Sequence, residues 1–187
     1  TSIPMLFRMR YLVAITGASG ICYGLKLLEA LQGEKEIIVS ETGKAVMKHE
    51  TGIGYEKLSE YGNLYSDDDL FAPSASGTHK IDAMIICPCS QSTLAKISNG
   101  IADSLITRSA SVALKEGRKL ILVTRETPLS VIMLENELKL AKSGATILPA
   151  SPGFYKNQHT LEELIDFIVG KILDQLGQNH ELFERWE

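Results

Sequence analysis

Arg125 and Glu126 stand directly after the apolar run Lys119-Leu120-Ile121-Leu122-Val123 and Thr124, and Thr127-Pro128-Leu129 follow them. Such a run reads as a buried strand of a parallel sheet, and ligands of open α/β sheets bind at the carboxyl ends of those strands. A guanidinium there offers a planar donor fork for phosphate. A carboxylate beside it is a candidate general acid or base. The same pair also fits a surface ion pair with a helix cap near Pro128. A second turn, Thr16-Gly17-Ala18-Ser19-Gly20, follows the first apolar run. Gly17 and Gly20 permit close backbone approach, Ser19 adds a hydroxyl, and the free N–H groups of a helix start favour a phosphate. The spacing is not G-x-G-x-x-G, so a dinucleotide is poorly supported. The plain alternative is a tight strand-to-helix turn capped by Ser19. Two anion-grade turns in one sheet suggest an enzyme that holds two phosphorylated molecules side by side.

Three further segments carry polar chemistry. Cys87-Pro88-Cys89-Ser90-Gln91-Ser92-Thr93 presents hydroxyls and an amide at another strand end, suited to a polar ligand such as a flavin, or to a capped helix start. Arg108 and Lys115 lie seven positions apart in a helical stretch and share a face, as an anion site or as a solvated pair. Pro149-Ala150-Ser151-Pro152-Gly153-Phe154-Tyr155 fixes a loop whose Tyr hydroxyl can bond a phosphate, unless its rings pack on the domain or on a neighbouring subunit. Trp186, the lone tryptophan, is unusual for a solvated tail and points to an interface or a site lid.

The elements that must position these groups alternate. Strands are expected over Tyr11–Ile15, Ile37–Val39, Ala83–Cys87 (stopped by Pro88), Leu120–Val123 and Ala145–Leu148. Helices are expected over Ile21–Leu31, Thr42–His49, from about Ser92, over Ser104–Glu116, over Leu129–Lys142, and from Thr160 to about Leu176 with Glu163 completing a capping box. The alternation implies a single α/β domain built on a doubly wound parallel sheet. Tyr55–Lys80, rich in Asp, Ser, Gly and Pro, is less regular and is expected to contain a long functional loop.

The chain has 187 residues and a formal net charge of -4, which argues against nucleic-acid binding. No apolar run approaches the roughly 18 residues of a membrane span. Residues 1–9 read as an extension, with Met9 a candidate natural start. Three cysteines, Cys22, Cys87 and Cys89, give no disulfide framework and suit a reducing cytoplasm. His49, His79, His159 and His180 show no zinc-site spacing, so no metal is expected.

Thr16-Gly17-Ala18-Ser19-Gly20, Cys87-Pro88-Cys89-Ser90, Arg125-Glu126-Thr127-Pro128-Leu129, Leu134-Glu135-Asn136 and Pro152-Gly153-Phe154-Tyr155 occur together and in order. From about Arg10 to Trp186 the chain resembles the UbiX-like flavin prenyltransferases, once described as aromatic-acid decarboxylases. The resemblance implies a three-layer flavodoxin-like or Rossmann-like fold and dodecamers with flavin sites at subunit interfaces. It also implies joining of a prenyl group from dimethylallyl monophosphate, sometimes the diphosphate, to N5 and C6 of reduced FMN without a metal. The product would serve a UbiD-like decarboxylase. Position by position it implies that Gly17, Ala18 and Ser19 form the FMN turn, with Ser19 near N5. Ser40, Ser90, Gln91, Ser92, Thr93 and Arg125 would contact the flavin, and Glu126 would handle protons. Glu50, Arg108, Lys115, Tyr155 and Lys171 would surround the prenyl phosphate, with Ser19, Glu126, Glu50 and Lys115 as the catalytic set.

Three positions depart from the family pattern: Leu70 stands where some relatives have Trp, Thr124 where Pro is usual, and Lys171 often where Arg stands. An FMN-dependent cysteine decarboxylase of the same fold is one alternative, although the five expected strand-end turns hold no His. A non-catalytic FMN carrier, which would not need the surplus cations, and direct decarboxylation of an aromatic acid are the others.

Overall fold

A computed structural model describes residues 9–186. The expected extension therefore lies outside the described residues except for Met9, whose carbonyl accepts the Glu34 N–H at 2.9 Å. Six strands form one all-parallel sheet: β1 (Arg10–Ile15), β2 (Glu34–Val39), β3 (Asn63–Ser66), β4 (Ala83–Cys89), β5 (Lys119–Thr124) and β6 (Thr146–Ile147), in the order β3-β2-β1-β4-β5-β6. Six α-helices among the described residues flank it, the last one following β6: α1 (Ile21–Ala30), α2 (Glu41–Thr51), α3 (Gln91–Ser98), α4 (Leu105–Lys115), α5 (Val131–Lys142) and α6 (Leu161–Gln175).

The sheet is buried on both faces, which is why its central strands carry almost no polar residues. Successive β1 side chains go to opposite sides. Tyr11, Val13 and Ile15 join a core with α1, α2 and α6; Leu12 and Ala14 join one with α3, α4 and α5. The three-layer, doubly wound architecture expected from the alternation is the one observed. No helix among the described residues is long and apolar enough to cross a membrane.

One expectation is corrected and one strand is added. Pro88 does not stop the strand: β4 continues to Cys89, and its pairing with β5 shifts register between Ile86 and Cys89. A residue without an N–H cannot hold a regular ladder, and an irregularity absorbs it. Within the irregular segment Tyr55–Lys80 the sequence also hides a strand, because Asn63–Ser66 pairs with β2 through Ile37↔Leu64 and Ile38↔Tyr65. This is an edge strand, half-exposed and polar at both ends, so its alternation is too weak to read. Smaller shifts have local causes. Ser130 accepts the Met133 N–H at 3.2 Å, so α5 starts at Val131 and not at Leu129. The Thr160–Glu163 capping box stands as read.

Gly24 sets how closely α1 packs on the centre of the sheet. A Cβ there would lie 2.4 Å from the Cys87 carbonyl oxygen. Gly24→Ala should lower stability by about 1–3 kcal/mol despite alanine's better helix propensity. Thermal or denaturant unfolding checks this; an unchanged or higher midpoint would mean that α1 shifts freely.

Candidate active site

The chain leads outward from β1 to β2 on one side and from β4 to β5 on the other, so a crevice opens where the carboxyl ends of β1 and β4 diverge. Thr16 laces that crevice. It is 1% exposed, its hydroxyl donates to the Pro88 carbonyl at 2.9 Å, and the same oxygen accepts the Ser90 N–H at 2.7 Å. Its own N–H adds a 3.2 Å bond to Pro88.

The hydroxyls around the crevice are fixed by helix starts. Ser90 caps α3, accepting the Thr93 N–H at 3.1 Å and donating to the Thr93 hydroxyl at 2.9 Å. Gln91 donates to Glu137 on α5 at 2.9 Å, and Ser92 is exposed. Ser40 caps α2 by accepting the Gly43 N–H at 3.0 Å. A Cβ on Gly17 would meet the Thr42 methyl at 2.4 Å, so the first turn lies directly on the start of α2. Ala18 is buried and Ser19 exposed.

The anion site expected at the start of α1 is already filled by protein. Gly20, in the left-handed region with φ of 107°, donates its N–H to both Glu50 oxygens at 3.3 and 3.1 Å, and Ile21 adds a 3.0 Å bond. The Ser19 side chain lies beside the same carboxylate. Burial pushes the Glu50 carboxyl up, but the Ser19 hydroxyl, these two N–H groups and the Arg125 guanidinium outweigh it and hold the group below the ordinary glutamate value.

Arg125 and Glu126 part company. Arg125 reaches back to the Ser19 carbonyl, its Nε donating at 3.1 Å, and so spans the ends of β1 and β5. Glu126 is exposed, and its carboxylate accepts the Thr127 N–H at 3.1 Å. The surface ion-pair alternative for these two residues is not what the structure contains.

Of the five residues expected around the prenyl phosphate, Glu50 caps α1, and the other four do not meet within one chain. Arg108 is exposed on α4 and donates to the Ala75 carbonyl at 3.2 Å. Lys115 ends the same helix. That helix begins against Asp67, just past the carboxyl end of β3, and returns toward the amino end of β5. Lys115 thus lies toward the far edge of the sheet, paired with Glu116 at 2.7 Å. Tyr155 and Lys171 lie across the sheet with α6. They line an open groove of about 690 Å³ together with Phe167, Phe183, Arg185 and Trp186. None of the crevice residues lines that groove.

The Flavoprotein family model matches residues 5–173. Flavin prenyltransferase UbiX of Methanocaldococcus jannaschii is 43% identical over 181 residues, covering 95% of this chain and 98% of that one. The chain belongs to the UbiX flavin prenyltransferase family. Two solved structures are similar along nearly its whole length. AnUbiX (PadA1), in complex with FMN and dimethylallyl pyrophosphate, superposes with a TM-score of 0.93 at 41% identity, covering 96% of this chain and 98% of that one. A dodecameric FMN-dependent UbiX-like decarboxylase from Escherichia coli O157:H7 superposes with a TM-score of 0.92 at 38% identity, covering 96% and 100%.

In this UbiX-family chain Thr16 has a role that its place in the motif does not announce. A hydroxyl at the last core position of a strand, just before a glycine turn, was the available signal. Asp67, which accepts the Leu105 N–H through its carbonyl at 2.7 Å and the Ile106 N–H through its carboxylate at 2.9 Å, was missed because it lies in the segment read as loop.

The Glu50 cap gives a pH signature. Its carboxyl titrates lower in the folded chain than in the unfolded one, so its stabilisation is complete above the ordinary glutamate value and is lost as pH falls through the lower, folded value. Glu50→Gln should therefore cost about 0.5–1 kcal/mol at neutral pH, a typical cost for removing charge from a helix start. Parent and variant unfolding curves should converge in acid; a gap independent of pH would show that the charge is not what matters.

Proposed function

We propose that the chain transfers a dimethylallyl group from dimethylallyl monophosphate to reduced FMN, forming bonds at N5 and C6, and that the prenylated flavin passes to a UbiD-like decarboxylase. The observation that supports this reading most is the reach of Arg125 across the crevice to Ser19 in a chain of the UbiX family. The crevice fits FMN. Gly17, Ala18 and Ser19 offer a turn of close backbone approach, and Ser40, Ser90, Gln91, Ser92 and Thr93 supply hydroxyls and an amide to polar flavin edges. Arg125 brings a charge for phosphate.

When bound, reduced FMN supplies the nucleophilic N5 and the ring carbon C6. The residues do the rest. Arg108, Lys115, Tyr155 and Lys171 meet the charge that develops as the allylic C–O bond breaks and phosphate leaves with the electron pair. Ser19 orients the reacting edge, with Glu50 holding Ser19 in place. Ring closure opens the prenyl double bond, whose inner carbon gains a proton while the ring carbon gives one up; Glu126, or the departing phosphate, hands over the first and takes the second. Because the four phosphate residues lie on opposite layers of one chain, the reading requires a homo-oligomer whose copies complete each site. A dodecamer in the cytoplasm fits that requirement.

Anaerobic incubation of the pure protein with reduced FMN and dimethylallyl monophosphate, followed by mass spectrometry of the extracted flavin, tests the reaction. A gain of one C5 prenyl unit is expected; unmodified FMN recovered bound would favour a carrier or a cysteine decarboxylase. Glu126→Gln should keep FMN bound yet slow the cyclised product by about a hundredfold or more, and unchanged turnover would remove Glu126 from proton handling. Leu70 is 45% exposed beside a fully exposed Phe71. Leu70→Trp should raise the rate by about fivefold if an aromatic face stabilises an allylic cation there; an unaltered rate would show that this position does not face the donor.

A further inference from the structure

The segment after α6 is tied down at three levels. At its base Gln178, 4% exposed, donates to the Tyr11 hydroxyl at 3.1 Å and to the Gln32 carbonyl at 2.7 Å, and accepts the Gln32 N–H at 3.0 Å. Above it Phe183 packs over Gly170, where a Cβ would come within 2.3 Å of the ring, and lies 5.3 Å from the Phe167 ring. At the top sits Asp174, one turn of α6 beyond Lys171.

Asp174 gathers two parts of the segment. The Nδ1 of His180 accepts the Leu182 N–H at 3.2 Å, so Nε2 carries the proton and donates to Asp174 at 3.0 Å. Arg185 bonds both carboxylate oxygens, at 2.8 and 3.4 Å, with its guanidinium 5.6 Å from the Phe183 ring. Burial raises the Asp174 carboxyl, but Arg185 and His180 bring it below its usual range, so the group is charged at neutral pH. Trp186 follows Arg185 directly and meets Tyr155 edge-on, with ring centroids 5.9 Å apart. Tyr155 is 75% exposed on an irregular loop. An exposed side chain on such a loop keeps its rotamers unless something docks on it.

We propose that Asp174 is a positioning residue for the prenyl donor: by clamping His180 and Arg185 it holds Trp186 against Tyr155 and so fixes the Tyr155 hydroxyl over the groove that Lys171 lines. The proposal rests on the reading that Tyr155 and Lys171 face the donor phosphate. Asp174 itself touches no substrate; it acts through the tail. Loss of the clamp returns freedom to a binding group and leaves the reacting atoms alone, so it should raise KM and spare kcat.

Trp186 is the chain's single tryptophan, so its emission reports the tail alone. In the full assembled protein without substrate, Asp174→Ala should shift the emission to the red and increase acrylamide quenching. With reduced FMN, the KM for dimethylallyl monophosphate should rise about tenfold while kcat stays within about twofold. Arg185→Gln, a change at an exposed position, should move both readings the same way and covers the case in which Asp174→Ala folds poorly. Lys96→Gln breaks the exposed Lys96–Asp103 pair, 2.9 Å long and away from the groove, and should leave both readings at parent values. Unshifted emission in both Asp174→Ala and Arg185→Gln would overturn the clamp. A shifted emission with an unchanged KM would overturn its link to the phosphate. Because the fluorescence reading needs no substrate, a parent chain that fails to prenylate FMN sinks the functional reading without deciding the clamp.

Discussion

The crevice depends on one buried hydroxyl. In a parallel sheet every strand delivers its carboxyl end to the same edge, and at the centre two neighbouring strands turn away from each other with their backbone groups unpaired. Such groups cost free energy if left buried and unbonded. The Thr16 hydroxyl meets both needs by giving its proton to Pro88 and taking that of Ser90. Much else hangs on that lace. Ser90 is held where it caps α3, and the first turn is set so that Gly17 rests on Thr42 and the Ser19 carbonyl meets Arg125. The residues proposed for the chemistry of the crevice are also its joinery.

Glu50 changes what the first turn can do. A helix start attracts anions because its N–H groups are free and its dipole favours negative charge. Here both of those properties are taken up by a carboxylate of the chain itself. A phosphate approaching the same N–H groups would meet a fixed negative charge, so a phosphate near this turn must draw its attraction from Arg125 and from hydroxyls. Any second phosphate must look further. The cations proposed for it stand on α4 and α6, on opposite sides of the sheet. Exposed apolar side chains on α5, with Val131 70% and Ile132 71% exposed, add a surface that a lone chain has no reason to display. Both observations agree with an assembly that supplies what one chain lacks.

Most of the fold was legible in the sequence because burial on two faces leaves an unmistakable trace. β1, β4 and β5 carry continuous apolar runs ending in turn residues, β2 carries a short one over Ile37–Val39, and most helices between them carry caps that name their own starts. The failures fall where that trace fades. β3 is an edge strand with only Leu64 and Tyr65 as apolar signal. Pro88 breaks the rule that a proline ends a strand, since a shifted register gives its missing N–H somewhere to be. Neither fact leaves a periodicity to detect, because each is decided by a neighbouring strand distant in sequence.

The site was legible unevenly, and the reason is geometric. Turn residues that follow central strands must converge, because the sheet itself brings them together, and so Ser19, Ser90 and Arg125 meet at one crevice through topology alone. Residues on helix faces carry no such guarantee. Arg108 and Lys115 do share a side of α4, as seven-residue spacing demands, yet seven residues also advance about 10 Å along the axis, to the other end of the helix. Periodicity reports direction around an axis and says nothing about which neighbour waits there. For Arg108 the neighbour is a carbonyl at Ala75; for Lys115 it is Glu116. A pattern that scatters cations along helices in opposite layers makes little sense for a site within one chain. It makes sense where each layer faces a different copy, and a sequence records that only as charge left on the outside.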